Sequence, residues 1–142
     1  MTKAYVLINC DLGSEKGIIS SLKNIENVTE VHGTLGLYDI IAKIESDSDE
    51  KIQKTITNVI RKMPKINSTI TLTRSEHSEI FRTSEKLIGS MLGKNNVQAY
   101  VVIHGDKGEE FNILKNLSQI PEVKESDVVF GYYDVICKIE TS

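Results

Sequence analysis

The stretch Ala4–Ser46 recurs as Ala99–Thr141 without a gap, and 19 of the 43 aligned positions are identical. A gapless repeat of this length is one supersecondary unit used twice, so the unit has to be understood before the chain. The identities concentrate in apolar periodic positions and in a short Gly-x-Tyr-Asp signature. That signature stands at Gly36/Tyr38/Asp39 and again at Gly131/Tyr133/Asp134. Polar residues identical in both copies are stronger candidates for a duplicated site than any residue seen once.

In the first copy, Ala4–Cys10 is apolar at both parities, with Ala4, Val6 and Ile8 on one face and Tyr5 and Leu7 on the other. A strand exposed on one side alternates with polar residues, so this strand is expected to be covered on both. Asp11-Leu12-Gly13-Ser14 supplies a turn with Ser14 as N-cap, and Ile18, Ile19, Leu22 and Ile25 follow at helical spacing. The second copy repeats the plan with Ile113, Leu114, Leu117 and Ile120, closed by Pro121. A strand over Val28–Leu35, a tight turn near Gly36-Leu37 and a strand over Tyr38–Glu45 come next. Tyr38, Ile40, Ala42 and Ile44 then share one face, and Asp39, Ile41, Lys43 and Glu45 the other.

Ser46-Asp47-Ser48-Asp49 signals a second helix by its capping residues and early acidic charge. Ile52, Ile56, Val59, Ile60 and Met63 form its apolar stripe, Pro64 ends it, and Asn67–Arg74 has the Thr/Ile content of a strand. The order predicts an α+β fold: a ferredoxin-like βαββαβ unit over residues 1–74. A connecting helix is expected within 75–96, signalled from Ser78 by Ile80, Phe81, Leu87, Ile88, Met91 and Leu92 and stopped at Gly93. Residues 97–142 give a second, partial βαββ copy without the second helix and fourth strand.

Other classes of function find little support. The net charge is −3 and Lys and Arg are scattered, so the basic stripe of a nucleic-acid module is missing and no direct nucleic-acid binding is expected. No apolar stretch approaches a membrane span, and the first apolar run is too short for a signal sequence. A cytoplasmic protein with no membrane contact is expected, with Cys10 and Cys137 as reduced, buried small hydrophobes. His32, His77 and His104 show no metal-ligand spacing, and Gly89-x-x-x-Gly93-Lys94 is too short for a phosphate loop. No nucleophile–base pairing recurs between the copies. Neither a cofactor, a metal nor an enzymatic activity is expected.

With Gly-x-Tyr-Asp placed at a hairpin, AYVLINCDLGSEKGIISSLKNIENVTEVHGTLGLYDIIAKIES, DEKIQKTITNVIRKMPKI and STITLT together resemble a known domain. It is the ligand-sensing RAM, or AsnC-type, domain of the Lrp/AsnC transcription regulators. The first copy spans the whole domain and the second about its first two thirds. The resemblance implies a ferredoxin-like unit of the dimeric α+β-barrel type that pairs sheet on sheet, and dimers that join into larger rings. It implies small effectors, typically amino acids, bound near the hairpin loop. Partners so implied are an amino-acid effector, further copies of the chain, and full-length Lrp/AsnC-type regulators. The chain departs from the family in starting directly at the first strand, without a helix-turn-helix, and in carrying a second, incomplete unit.

Two readings of the signature stay open. Asp39 and Asp134, each placed one residue into a strand, can hold an amino acid together with nearby backbone N–H groups, making Gly36, Tyr38, Asp39, Gly131, Tyr133 and Asp134 the candidate ligand-binding residues. Alternatively each Asp caps its hairpin and each Tyr packs as half-buried core. The cover for the second face of Ala4–Cys10 and of Ala99–Ile103 is likewise a sheet from the other copy or from a second subunit. Three functions compete: an amino-acid sensing and oligomerisation module, an oligomerisation domain without effector, and a small dimeric α+β-barrel enzyme. The last is disfavoured by interior positions that are Ile, Val and Leu.

Overall fold

The computed structural model describes residues 2–74 and 97–141, which belong to two compact units, Met1–Thr73 and Arg74–Ser142. The expected connecting helix, and His77 with it, lie outside the described residues. Unit 1 runs β1 (Thr2–Cys10), α1 (Glu15–Lys23), β2 (Val28–Gly33), β3 (Ile40–Ser46), α2 (Asp49–Lys54) and β4 (Ile66–Arg74). Its strands lie in the order β2-β3-β1-β4, each antiparallel to its neighbours. This is the ferredoxin-like arrangement. Unit 2 runs β5 (Val97–Ile103), α3 (Glu110–Leu117), β6 (Val123–Phe130) and β7 (Val135–Thr141), with strand order β6-β7-β5. It is the same βαββ frame without a second helix and fourth strand among the described residues.

The period of two in the strands decides which residues meet the helices. Ala4, Val6, Ile8 and Cys10 of β1 share a core with Ile40, Ala42 and Ile44 of β3. Ile18 and Leu22 of α1, and Ile52, Ile56 and Ile60 farther along, close over it. Each Ile or Leu withdrawn this completely contributes roughly 1.5–3 kcal/mol through burial. The odd face of β1 is equally dry, with Tyr5 1% and Leu7 4% exposed. Both faces of the first strand are therefore covered, as its composition requires.

The second helix keeps its stripe in an unexpected way. Ile52, Ile56 and Ile60 recur every four residues, and steps of four overshoot a 3.6-residue turn each time. A straight α-helix would carry the third isoleucine away from the sheet. Instead Thr55–Ile60 adopts wider π-helical turns, seen in the Arg61 amide bonding to Ile56 O at 2.9 Å. All three isoleucines stay at 1% exposure or less, whereas Val59 turns outward. The Thr55 hydroxyl donates to Lys51 O at 2.9 Å where the two helical forms join.

Several expected boundaries move. Ser48 accepts the Lys51 amide as an N-cap at 3.3 Å, as its sequence context suggests. Ser14 makes no such side-chain bond; Glu15 folds back and accepts the Gly13 amide at 2.9 Å. Strand β2 ends at Gly33 rather than Leu35 and β3 begins at Ile40 rather than Tyr38, so a loop replaces the expected tight turn.

The two first strands also differ from each other. Val6 and Ala4 are fully buried, but their counterparts in β5, Val101 and Ala99, are exposed, Val101 at 38%. Equal composition does not give equal cover, because the residues that close over Ala4 and Val6 from the second helix have no counterpart among those described in unit 2.

Candidate functional site

The loop Thr34–Asp39 is held at its base by backbone and side-chain bonds that converge on one residue. The Asp39 amide donates to Ile8 O at 2.9 Å, and Asp39 O accepts the Thr34 amide at 2.8 Å. Asp39 Oδ2 accepts the Cys10 amide at 2.9 Å, and the Thr34 hydroxyl donates to Tyr38 O at 2.6 Å. Strand β1 leaves its regular ladder here, with a register shift against β4 between Asn9 and Cys10. A carboxylate oxygen stands in for the strand carbonyl that the Cys10 amide would otherwise bond.

Unit 2 repeats the three bonds made by the aspartate, while Val129 at the place of Thr34 has no hydroxyl to give the fourth. The Asp134 amide donates to Ile103 O at 2.9 Å, Asp134 O accepts the Val129 amide at 2.9 Å, and Asp134 Oδ2 accepts the Gly105 amide at 2.8 Å. Asp39 and Asp134 thus stand immediately before β3 and β7, not one residue inside them. Nor do they cap their own hairpins with their side chains. They tie each hairpin to the end of the strand running beside it.

Around these ties the two loops differ. Gly36 is exposed, and flanking it Leu35 and Leu37 are 105% and 81% exposed, while Tyr38 is half-buried. In unit 2, Phe130 and Tyr132 are also exposed, at 67% and 64%, on either side of Gly131. Tyr133 is buried and its ring lies 4.7 Å from His104, with Tyr132 edge-on to both at 5.0 Å. The exposed apolar pair was present in both copies of the sequence, on each side of the glycine. They are not among the residues singled out above from the sequence; large side chains at matching places in a loop of a repeat are the signal that identifies them.

A second duplicated set escapes motif reading because its members are far apart in sequence. Tyr5, Lys43 and Glu45 recur as Tyr100, Lys138 and Glu140. Lys43 Nζ stands 5.9 Å from the Tyr5 ring centre and 3.7 Å from Glu45, and Lys138 Nζ 5.8 Å from the Tyr100 ring and 3.9 Å from Glu140. In unit 1 this set belongs to the sheet face opposite the helices, where Lys3 Nζ also lies 5.5 Å from the Tyr5 ring.

The remaining features are structural. Asp11-x-Gly13 and Asp106-x-Gly108 make the same strand-to-helix turn, with φ of 85° and 91° at the two glycines. Both cysteines are free and buried. Burial raises the Cys10 thiol pKa, with Asp39 adding to the effect, and burial likewise raises that of Cys137. Such thiols stay protonated and are poor nucleophiles and metal ligands. Among the described residues no group of His, Cys, Asp and Glu is placed to hold a metal, and no helix is long and apolar enough to cross a membrane. A shallow recess of about 390 Å³ lies between Gly13, Ser14, Gly17 and Ile18 of the α1 region and Met63 and Lys65; none of the six candidate residues lines it.

A family model described as the Lrp/AsnC ligand binding domain matches residues 3–78. No curated protein sequence matches the chain. Among solved structures, that of FFRP-DM1 is 33% identical with a TM-score of 0.51, covering 53% of this chain and 100% of that one. A hypothetical protein of Pyrococcus horikoshii, PHS023, is 35% identical with a TM-score of 0.51, covering 54% and 94%. The protein TTHA0845 of Thermus thermophilus, at 24% identity and a TM-score of 0.51 over 54% and 95%, shares the fold. Each of these proteins corresponds to about half of the present chain.

Proposed function

From the premise that the chain belongs to the Lrp/AsnC ligand binding domain family, we propose that it is a non-enzymatic sensing and assembly module whose effector is an amino acid. In this reading residues 1–74 form the complete sensing domain, 75–96 connect, and 97–142 supply a second, partial copy. The observation that carries the proposal is the loop Thr34–Asp39, a firmly anchored element that presents two leucines to solvent. Large apolar side chains held rigidly in water mark a surface that meets something else. An amino acid needs an acceptor for its ammonium group and donors for its carboxylate. With Oδ2 engaged by the Cys10 amide, Asp39 would meet the ammonium through Oδ1, beside Tyr38 and the backbone of Gly36. Asp134, Tyr133 and Gly131 form the corresponding set in the second copy.

The effector would act by binding one assembly state more tightly than another, either among copies of this chain or in mixed assemblies with DNA-binding regulators that carry the same domain. A tenfold preference shifts that equilibrium by about 1.4 kcal/mol. Titration calorimetry and light scattering against each of the twenty amino acids test the proposal. Heat and a change in mass are expected for one or a few of them. Uniform silence from a folded chain removes the effector.

One observation favours a second reading, an oligomerisation domain with no effector: the Asp carboxylates already serve the scaffold. In that case the mass of the assembly is the same with every amino acid.

A further inference from the structure

The two copies keep the frame of the loop and change its rim. Ile8, Gly36, Tyr38 and Asp39 recur as Ile103, Gly131, Tyr133 and Asp134, whereas Asn9, Cys10, Leu35 and Leu37 give way to His104, Gly105, Phe130 and Tyr132. The retained aspartate makes the same three bonds in each unit, so the loop closes with either rim. The replacements are therefore not required by the scaffold. Nor does exposure of the rim depend on the lack of a second helix and fourth strand. Unit 1 has both, and it exposes Leu35 and Leu37 even more than unit 2 exposes Phe130 and Tyr132.

In unit 2 the tie itself brings the new side chains together. The Gly105 amide bonds to Asp134 Oδ2 at 2.8 Å, and each of these two residues is preceded by a ring, His104 on one side and Tyr133 on the other. Those rings lie 4.7 Å apart with a tilt of 36°, and Tyr132 stands edge-on to both at 5.0 Å. These are separations at which aromatic pairs attract. Centroids this close leave no room for a cation enclosed between the rings; what they offer is outer ring surface to pack upon. Tyr133 is buried, whereas Tyr132 and Phe130 remain mostly exposed. Side chains that already hold one another lose little freedom when a further ring joins them. Unit 1 has only aliphatic surface at Leu35 and Leu37, and no ring at Asn9.

We infer that the Gly131 loop selects an amino acid with an aromatic side chain, whereas the Gly36 loop, with its leucine rim, does not. The inference rests on the amino-acid reading of these loops and names the effector class of one of them. Asp134 Oδ1 meets the ammonium group, as in that reading, and the effector ring packs on Tyr132 and Phe130 next to the His104–Tyr133 pair. Contacts between rings add to what an aliphatic side chain gains by burial, so phenylalanine is favoured over leucine at this loop by about fivefold. The preference is absent or reversed at Gly36. One chain thereby answers to two chemically distinct effectors through two copies of one scaffold.

The test follows the backbone amides of Gly36 and Gly131 in the full chain by nuclear magnetic resonance, one reporter for each loop. The chain is titrated with L-phenylalanine, L-leucine and L-arginine. L-Phenylalanine should move the Gly131 signal at concentrations about fivefold below those that L-leucine needs. Tyr132→Leu gives the loop the residue that unit 1 carries at the same place, and should abolish the preference. Tyr132→Phe keeps a ring and should retain it. Phe130→Leu is a second rim change that should weaken it, and circular dichroism checks that each variant is folded. The inference is overturned if L-phenylalanine acts equally at Gly36, or if L-leucine or L-arginine binds at Gly131 as tightly. It is overturned too if the folded leucine variants keep the preference, or if Gly131 stays unmoved while L-leucine moves Gly36. In each of these cases an amino acid still binds and the sensing proposal stands. Silence of both glycines toward all twenty amino acids overturns the two together.

Discussion

Asp39 accepts the amide of Cys10, 29 residues away, at 2.9 Å, and Asp134 repeats the reach to Gly105 at 2.8 Å. The identity of these two aspartates across the repeat thus has a structural cause, independent of any ligand. A short carboxylate fits the space between a hairpin base and a strand end that has left its ladder; glutamate would overshoot it by a methylene.

Asp39→Ala leaves the partly buried Cys10 amide without its acceptor and should lower unfolding stability by about 1–3 kcal/mol. Asp39→Asn keeps a neutral oxygen at the site and should lose less, because only the charge-assisted part of the bond goes. Urea unfolding with an unchanged m-value measures both. Equal stability of wild type and Asp39→Ala would show that the tie contributes nothing and leave ligand binding as the reason for the residue.

Much of the frame was legible because it rests on periodicity. Ala4, Val6, Ile8 and Ile40, Ala42, Ile44 alternate with the pleat, and both sets are buried on the helix side as their spacing demands. What was not legible depends on contacts between distant segments. Nothing local to Tyr38-Asp39 says that β1 bends away at Cys10, so the role of Asp39 was hidden. The wide turns at Thr55–Ile60 arise from a conflict between a four-residue spacing and the α-helical period, which a stripe drawn on an ideal helix conceals. Strand β5 read like β1 because the residues are similar; its exposure is set by neighbours that its own sequence does not contain.

Gly13 and Gly108 have φ of 85° and 91°, and a Cβ at either would meet nothing within 4 Å. Substitution there isolates backbone strain from packing. Gly13→Ala and Gly108→Ala should each cost about 1–2 kcal/mol, and Gly13→Asn less, since Asn tolerates the left-handed region. Thermal unfolding of the three variants checks the order. An Ala variant as stable as the parent would mean that the turn relaxes freely.

The repeat aligns Gly105 with Cys10, and the two positions are packed differently. A Cβ on Gly105 would stand 2.7 Å from Ile113 Cδ1, whereas Cys10 fits within the core that includes Ile18, the counterpart of Ile113. Ile113 occupies the space that the missing side chain leaves. Gly105→Ala therefore makes the tip of the half-buried isoleucine swing aside and should destabilise unit 2 by about 0.5–1.5 kcal/mol, the cost of an off-rotamer side chain. Gly105→Ala combined with Ile113→Val removes the offending Cδ1 and should recover part of the loss. A non-additive double-mutant cycle is the expected result, and strict additivity would refute the contact.

The buried thiols give the chain an alkaline limit. Burial favours the neutral thiol in the folded state and raises the pKa of Cys137, and it raises that of Cys10 with Asp39 as a further cause. Above the ordinary thiol value of about 8.5, the unfolded chain loses these protons while the folded chain keeps them. The folded state then binds more protons, so stability falls as pH rises from that value toward the raised one; below it the thiols add no slope. Cys137→Ala has no proton to retain and should show a shallower alkaline decline, even though the smaller side chain lowers stability at neutral pH. Iodoacetamide provides the kinetic counterpart. At pH 7 both thiols should react slowly in the native chain and at the rate of a free thiol in denaturant. Fast native labelling of Cys137, or identical alkaline slopes for wild type and Cys137→Ala, would contradict the assignment.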